Sequence, residues 1–163
     1  MNLSRYTRIS GFTIVEMVVC LAILAVLATA ALPLAELSVQ RAKEAELRRA
    51  LWEIRDALDA YKRAADDGWI PKAAEDSGFP SDLETLVEGV PDLRSPTSSR
   101  MMYFLREVPR DPFYADASAP AADTWALRSY DSTTDHPEPG NDVYDVRSTS
   151  REIGTNGIPY SAW

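Results

Sequence analysis

The chain has 163 residues and a net charge of −8 at neutral pH, because 25 Asp and Glu residues face 17 Lys and Arg residues. This acidic balance argues against nucleic acid or an anionic membrane surface as partner, and it suits a divalent cation or a basic partner. The single cysteine, Cys20, excludes an internal disulfide and a C-x-x-C metal motif, and the single histidine, His136, lies in the run DHPEPGND, which is typical of a solvated loop.

The first predicted element is an apolar helix over residues 12–35. Between Met17 and Leu32 only Thr29 has a polar side chain. The run is long enough to span a bilayer core, which needs about 20 helical residues. The residues before it, MNLSRYTRISG, are basic, so the positive-inside rule places them in the cytoplasm and the bulk of the chain on the other side of the membrane.

Three interpretations of this run compete. A cleavable secretory signal would need a small-x-small site, which Ala28-Thr29-Ala30 offers weakly. A plain signal anchor would explain the length and the orientation. The run is longer than a usual signal core, and the pattern beyond it stays helical. The anchor does not account for Glu16, because a carboxylate near the centre of the hydrocarbon costs about 2.5–3.5 kcal/mol, although less near the interface.

The third interpretation comes from the run Gly11-Phe12-Thr13-Ile14-Val15-Glu16, which resembles the signal of type IV prepilins. The resemblance implies that a membrane peptidase cuts after Gly11 and that the new N-terminal residue, Phe12, is N-methylated while the apolar run is kept. Glu16 is then the fifth residue of the mature chain, and Pro33 falls where many family members also have a proline.

The position of Glu16 has a physical meaning in this interpretation. Cleavage leaves a positive amine on Phe12, and in a filament Glu16 of one subunit can meet the amine of a neighbour. In hydrocarbon this pair is little screened, so a subunit at the wrong height leaves a carboxylate buried without a partner. The alternative is a glutamate that reaches the headgroups from the start of the helix.

The helical pattern continues beyond the membrane segment, as far as residue 66. One apolar stripe recurs at spacings of four and three residues, and Glu44–Arg48 and Asp59–Arg63 are acid–base pairs four residues apart. Gly68 is the expected C-cap, and Pro33 predicts a kink or local opening near Thr29. The stripe covers barely three heptads, which favours packing on a downstream domain over a coiled-coil seam. Its residues are Leu47, Leu51, Ile54, Leu58, Tyr61 and Ala65.

Beyond Gly68 the chain becomes rich in Pro, Gly, Asp and Ser. A capping box of Ser81 and Glu84 predicts a short helix over residues 81–87. Residues 124–131 and 141–148 alternate and contain Trp, Tyr and Val, which predicts strands. The expected fold is α+β, with a two- or three-stranded antiparallel sheet against the long helix. The predicted segments are a leader (1–11), a transmembrane and assembly helix (12–35), its amphipathic continuation (36–67) and a globular domain (68–163).

The soluble part resembles the major, G-type pseudopilin of type II secretion systems. The resemblance rests on the order and spacing of several pieces: Ala57-Leu58-Asp59-Ala60-Tyr61-Lys62, Gly68-Trp69-Ile70-Pro71, Pro80-x-x-Leu83-x-x-Leu86, residues 103–112 (YFLREVPRDP) and Val143-Tyr144-Asp145-Val146-x-Ser148. It implies the type IV pilin-like fold and a structural role in a short periplasmic filament that drives the export of folded proteins.

The same resemblance implies location and partners. The expected location is the bacterial inner membrane, with one span, a cytoplasmic N-terminus and a periplasmic domain. The expected partners are further copies of the chain through the N-terminal helix, minor pseudopilins, the prepilin peptidase, an inner-membrane assembly platform with its cytoplasmic ATPase, and membrane lipid. Nucleic acid is not among them.

Calcium is the one cofactor that the resemblance implies, since G-type members often hold it in a loop after the last strand. The matching loop covers residues 148–157, and its candidate ligands are Ser148, Glu152 and Asn156. The loop is poorer in Asp than in the family, and Arg151 opposes a cation. The alternative is a loop held by its own hydrogen bonds and by Tyr160 and Trp163 packing on the domain.

The sequence offers no enzyme site. It has no G-x-S-x-G elbow, P-loop or dinucleotide fingerprint, and its acid pairs Asp66-Asp67 and Asp142/Asp145 are typical of a solvated face. The expected function is therefore a filament subunit. The alternatives are a type IV pilin or competence pseudopilin, which shares the fold, a membrane-anchored binding domain that never polymerises, and a tethered enzyme.

Overall fold

The structure is a computed structural model, and it describes residues 12–73, 76–95 and 100–163. The chain divides into two compact units, Met1–Gln40 and Arg41–Trp163. The helix α1 begins at Ile14 and ends at Asp66, so it contributes to both units, and its secondary structure continues through Pro33. This long N-terminal helix and the small antiparallel sheets that follow make the predicted α+β architecture, consistent with the type IV pilin-like fold.

The other elements belong to the second unit and are short. Two antiparallel strand pairs form within the described residues, β1 with β2 and β3 with β4. In the second pair Trp125 lies opposite Ser148, and Arg128 lies opposite Asp145. The elements are α2 (Glu84–Glu88), β1 (Val90–Pro91), β2 (Met101–Met102), β3 (Trp125–Arg128), β4 (Asp145–Ser148) and the 3-10 turns Ala122–Thr124 and Tyr160–Ala162.

The core of the second unit is built on the predicted stripe of α1. Leu47 and Ile54 are fully buried, and the other stripe residues are buried as well except Tyr61, which is half-buried against Phe104 at 5.1 Å between ring centroids. Leu83, Leu86, Trp125 and Val146 are among the buried residues that complete this core. The prediction that the stripe packs on the downstream domain is thus confirmed.

Gly68 caps the C-terminal end of α1, as the sequence predicts. Gly68 has a φ of +70°, which a residue with a Cβ rarely adopts. Its N–H donates to the carbonyl of Ala65, and the N–H of Trp69 donates to that of Ala64. This pair of bonds is the Schellman motif, which satisfies two carbonyls at the helix end.

The short helix α2 begins later than predicted. Its N-cap position is Leu83, and the side chain of the preceding Asp82 supplies the capping bonds: Oδ1 accepts the N–H of Thr85 at 2.8 Å and the Thr85 hydroxyl at 2.7 Å. Ser81 instead donates to Asp82. The predicted capping box of Ser81 and Glu84 is therefore wrong, because the neighbouring carboxylate is the stronger acceptor.

The two predicted strands exist but are shorter than the alternating pattern suggested. At their outer end the carboxylate of Asp142 accepts hydrogen bonds from the Tyr130 N–H at 2.9 Å and from the Ser129 hydroxyl at 2.7 Å. A side chain thus satisfies a donor that would otherwise extend the ladder, which ends the pairing at Arg128.

Candidate functional site

The N-terminal part of α1 carries apolar side chains that are exposed over residues 14–29. Thr13 begins it as a cap, since its hydroxyl accepts a hydrogen bond from the Glu16 N–H at 3.2 Å and its carbonyl accepts one from the Met17 N–H at 3.1 Å. Phe12 is 73% exposed and Ile14 is 84% exposed. By length and composition this helix can cross a membrane, although signal sequences share that property.

Glu16 lies one turn into this apolar surface, and its side chain is exposed. An acidic residue in the first turn interacts favourably with the partial positive charge of the helix N-terminus. This local effect is available in any helix, so it does not by itself explain an acid among apolar neighbours. Of the other predicted processing and assembly residues, Gly11 lies outside the described residues, and Pro33 is described only as part of the helix.

Residues 6–32 match the family model of the prokaryotic N-terminal methylation motif. The chain therefore carries the N-terminal methylation motif of type IV pilin-like proteins. The match contains Gly11, Phe12 and Glu16, and it ends before Pro33. The comparisons with curated proteins and with solved structures gave no match.

The motif supports a filament subunit that is processed by the prepilin peptidase. It also fits a protein anchored in a membrane by its N-terminal helix, and the type IV pilin-like proteins that share the motif are structural rather than enzymatic. The motif lies in the first unit, and it does not distinguish one type IV pilin-like system from another.

The second unit contains a buried carboxylate that the sequence suggests only as a helical partner of Arg48. Glu44 is 1% exposed on α1, and it accepts three hydrogen bonds from the C-terminal segment. The Thr155 N–H donates to Oε1 at 2.7 Å, the Thr155 hydroxyl donates to Oε2 at 2.6 Å, and the Tyr160 hydroxyl donates to Oε1 at 3.0 Å. Arg48 lies 3.6 Å away from Oε2. We call Glu44, Thr155 and Tyr160 the Glu44 anchor.

The packing around the Glu44 anchor is tight. Tyr160 is fully buried and stacks on Phe113 at 3.9 Å between ring centroids, and its ring also contacts that of Trp163 at 5.1 Å. A Cβ on Gly154 would lie 2.7 Å from the Trp163 ring, so only glycine fits there. The anchor therefore fixes the C-terminal segment on α1.

The structure shows the surroundings of each predicted calcium ligand. The Ser148 hydroxyl is buried and donates to Asp111 at 2.6 Å, and Asn156 Oδ1 accepts the Ile158 N–H at 3.0 Å. Glu152 is exposed, and the described residues include no group of three or more His, Cys, Asp or Glu side chains that could hold a metal. Calcium prefers six to eight oxygens, several of them carboxylate, which this loop does not gather. The hydrogen bonds within the loop and the contacts of Tyr160 and Trp163 agree with the alternative interpretation, and calcium binding stays a prediction.

Besides Asp142, two more acids of the pairs that the sequence assigns to a solvated face make contacts within the domain. Asp145 accepts a hydrogen bond from Arg55 Nε at 2.8 Å, and Asp66 lies 2.6 Å from Lys62 Nζ and 3.0 Å from Lys72 Nζ. Asp145 connects β4 to α1, and Asp66 connects the segment at Lys72 to the end of α1. Because these carboxylates already form ion pairs within the domain, they are poor candidates for general acid–base chemistry.

The environment of Glu44 sets the direction of its pKa. Burial alone raises the pKa of this carboxyl, but the hydrogen bonds from Thr155 and Tyr160 and the charge of Arg48 outweigh burial and lower the pKa below its ordinary value of 4.5. The unfolded chain therefore binds a proton on Glu44 more readily than the folded chain does. The stabilisation from Glu44 is complete above about pH 4.5 and is lost as the pH falls through the lowered folded pKa.

A pH titration of stability is expected to show this contribution. The free energy of unfolding of the full chain in detergent should fall as the pH drops below about 4.5, and the fall should be shallower in Glu44→Gln, which cannot ionise. Since Asp82 and Asp142 also have lowered pKa values, the difference between the two curves, and not the wild-type curve, isolates Glu44. Parallel curves would contradict the assignment.

Proposed function

We propose that the chain is the major pseudopilin of a type II secretion system, a structural subunit that assembles into a short periplasmic filament and drives the export of folded proteins. The observation that carries the filament role is the methylation motif over residues 6–32, with Glu16 on an exposed apolar helix. The choice of the secretion system rests on the resemblance of the soluble domain.

The pieces that carry this resemblance meet in the structure of the domain. The N–H groups of Phe104 and Leu105 both donate to the Leu86 carbonyl at 3.0 Å, and the Trp125 indole donates to the Pro109 carbonyl at 2.8 Å. The Asp111 carboxylate accepts a hydrogen bond from the Ser148 hydroxyl. Several of these short patterns thus contact one another or the core of the domain, which supports treating them as a single signature.

In this proposal each segment has one role. The leader, residues 1–11, is removed in the cytoplasm, and residues 12–35 hold the subunit in the inner membrane. Residues 36–67 continue the helix, and residues 68–163 form the periplasmic domain. Minor pseudopilins start the filament. The assembly platform and its ATPase supply the energy for assembly, because the chain has no motor of its own.

Assembly uses the pair of charges at the new N-terminus. The amine of Phe12 on one subunit meets Glu16 on the next, in a region where lipid excludes water. Removing two charges from water is costly, so the pair is favourable only when both partners are present at matched height. The pair therefore sets the axial register of subunits more than it adds to stability.

The N-terminus of the protein in its native membrane tests the processing step. Mass spectrometry is expected to find a mature chain that starts at N-methylated Phe12. Gly11→Val should leave the leader in place, because the cut follows this glycine, while the neighbouring Ser10→Ala should be processed normally. A wild-type chain that still starts at Met1, in cells with an active prepilin peptidase, would favour the membrane-anchored binding domain.

The same motif fits a type IV pilin or competence pseudopilin, so a second observation is needed to distinguish the type II secretion system from a pilus or a DNA-uptake system. Deleting the gene is expected to trap exported proteins in the periplasm while surface pili and DNA uptake stay normal. Loss of pili or of transformation with normal secretion would instead assign the chain to one of those systems.

A further inference from the structure

The domain exposes a tryptophan in a place that the fold does not explain. Trp52 lies on α1 directly after Leu51, which is 2% exposed, yet Trp52 itself is 69% exposed. Of the four tryptophans, Trp125 is buried in the core and Trp69 is covered by the guanidinium of Arg94 at 4.2 Å from the ring. A large aromatic side chain left in water is unfavourable for the monomer and is characteristic of the centre of protein interfaces.

Trp52 forms one wall of a groove of about 300 Å³. The C-terminal segment provides the other wall through Ile158, which is 46% exposed, and Trp163. The Glu44 anchor holds this segment against α1, so the groove is preformed. A preformed apolar groove loses little conformational entropy when it is filled.

Two arginines border the groove, and each also has an acidic partner within the domain, Asp145 for Arg55 and Glu44 for Arg48. Arg55 is engaged by Asp145 and by the carbonyls of Val146 and Trp163. Arg48 lies over the Trp163 ring at 4.9 Å, and its side chain is 58% exposed. An apolar floor with a basic edge fits an apolar side chain that has an acidic residue beside it.

This chemistry matches the chain itself, whose acidic residues outnumber its basic ones by 25 to 17. A filament also needs contacts between two different patches of adjacent copies, because only such heterologous contacts propagate without closing. We propose that the Trp52 groove is a subunit–subunit contact that receives an acidic and apolar surface segment of a second copy. This inference rests on the proposed filament function and adds a contact site in the domain to the one at Glu16.

Photo-crosslinking of the full chain in its native membrane tests the groove. With p-benzoylphenylalanine in place of Trp52, irradiation is expected to link two copies of the chain, and mass spectrometry should find the link on a segment rich in Asp or Glu. Tyr103 is the matched control position, because it belongs to the same domain, is 63% exposed and does not line the groove. We expect roughly tenfold more dimer from position 52 than from position 103.

A substitution gives a second, independent measurement. Trp52→Ala is expected to lower the filament yield about tenfold, whereas Tyr103→Ala should leave it unchanged. Since Trp52 is mostly exposed, its replacement should leave the thermal unfolding temperature of the full chain in detergent within a few degrees of wild type.

The outcomes distinguish a failure of the proposed groove contact from a failure of the proposed filament function. Wild-type filaments without a link from position 52 to a second copy, or a link only to another protein, would overturn the groove and leave the proposed function standing. If the wild-type chain forms no filaments, the proposed function fails; a link between copies in the membrane would then still support the groove, and its absence would overturn both.

Discussion

Glu16→Ala is expected to leave the protein in the membrane and to reduce filament assembly at least tenfold. The substitution makes the apolar helix more apolar, so insertion should not suffer. Assembly should suffer, because the amine of Phe12 on the neighbouring subunit would be buried without its partner, and breaking a buried charge pair from one side costs about 3–5 kcal/mol. The measurement is the amount of filament sheared from cells and seen by electron microscopy, relative to subunit recovered in membranes.

The matched control is Glu36→Ala. Glu36 is also an exposed glutamate on α1, but it follows the apolar run and lies beyond the matched motif. Filament yield from this variant should equal that of wild type. Normal filaments from Glu16→Ala would show that the carboxylate only reaches the headgroups and that assembly does not depend on its ion pair with the Phe12 amine.

The N-terminal methylation motif is predictable from the sequence because it is defined by the spacing of residues along the chain. The positions of Gly11, Phe12 and Glu16 are fixed relative to one another by chain order alone, and no tertiary contact is needed to recognise them. The same holds for the buried stripe from Leu47 to Ala65 and for the cap at Gly68. Local patterns with a helical period specify helices and their ends well.

The Glu44 anchor could not be predicted in this way. Glu44 is separated by more than a hundred residues from Thr155 and Tyr160, and the local pattern offered Arg48 as an adequate partner. The signal that was present is positional: Glu44 lies three residues before Leu47, on the buried face of the helix. An acid at a buried stripe position requires hydrogen-bond donors from elsewhere in the fold.

Trp52 is the opposite case, an apolar residue on the exposed face of the helix. It interrupts the polar face of α1 next to the stripe, where a solvated helix would have a charged or small residue. From the sequence alone such a tryptophan is easily counted as core. Only the structure shows that the domain leaves it uncovered.

The Glu44 anchor leads to the second large effect, on stability. Glu44→Ala is expected to lower the free energy of unfolding of the full chain in detergent by about 2–4 kcal/mol. The buried Tyr160 hydroxyl would lose its hydrogen bond to Glu44, and the two donors of Thr155, an exposed residue, would lose theirs; a hydrogen bond to a charged group contributes about 1.5–3 kcal/mol. The C-terminal segment should loosen before the core does, because its backbone depends on this carboxylate.

Hydrogen exchange and urea unfolding separate this local effect from a general one. In Glu44→Ala the amides of residues 154–160 should exchange at least tenfold faster, whereas those of the core around Ile54 should change less. Glu46→Ala is the matched control, since Glu46 is an exposed glutamate on the same helix. Added calcium should not restore the variant, because the loop gathers no carboxylate cluster for it. Restoration by calcium would show that the loop binds a metal after all, and that Glu44 and the ion share the task of holding it.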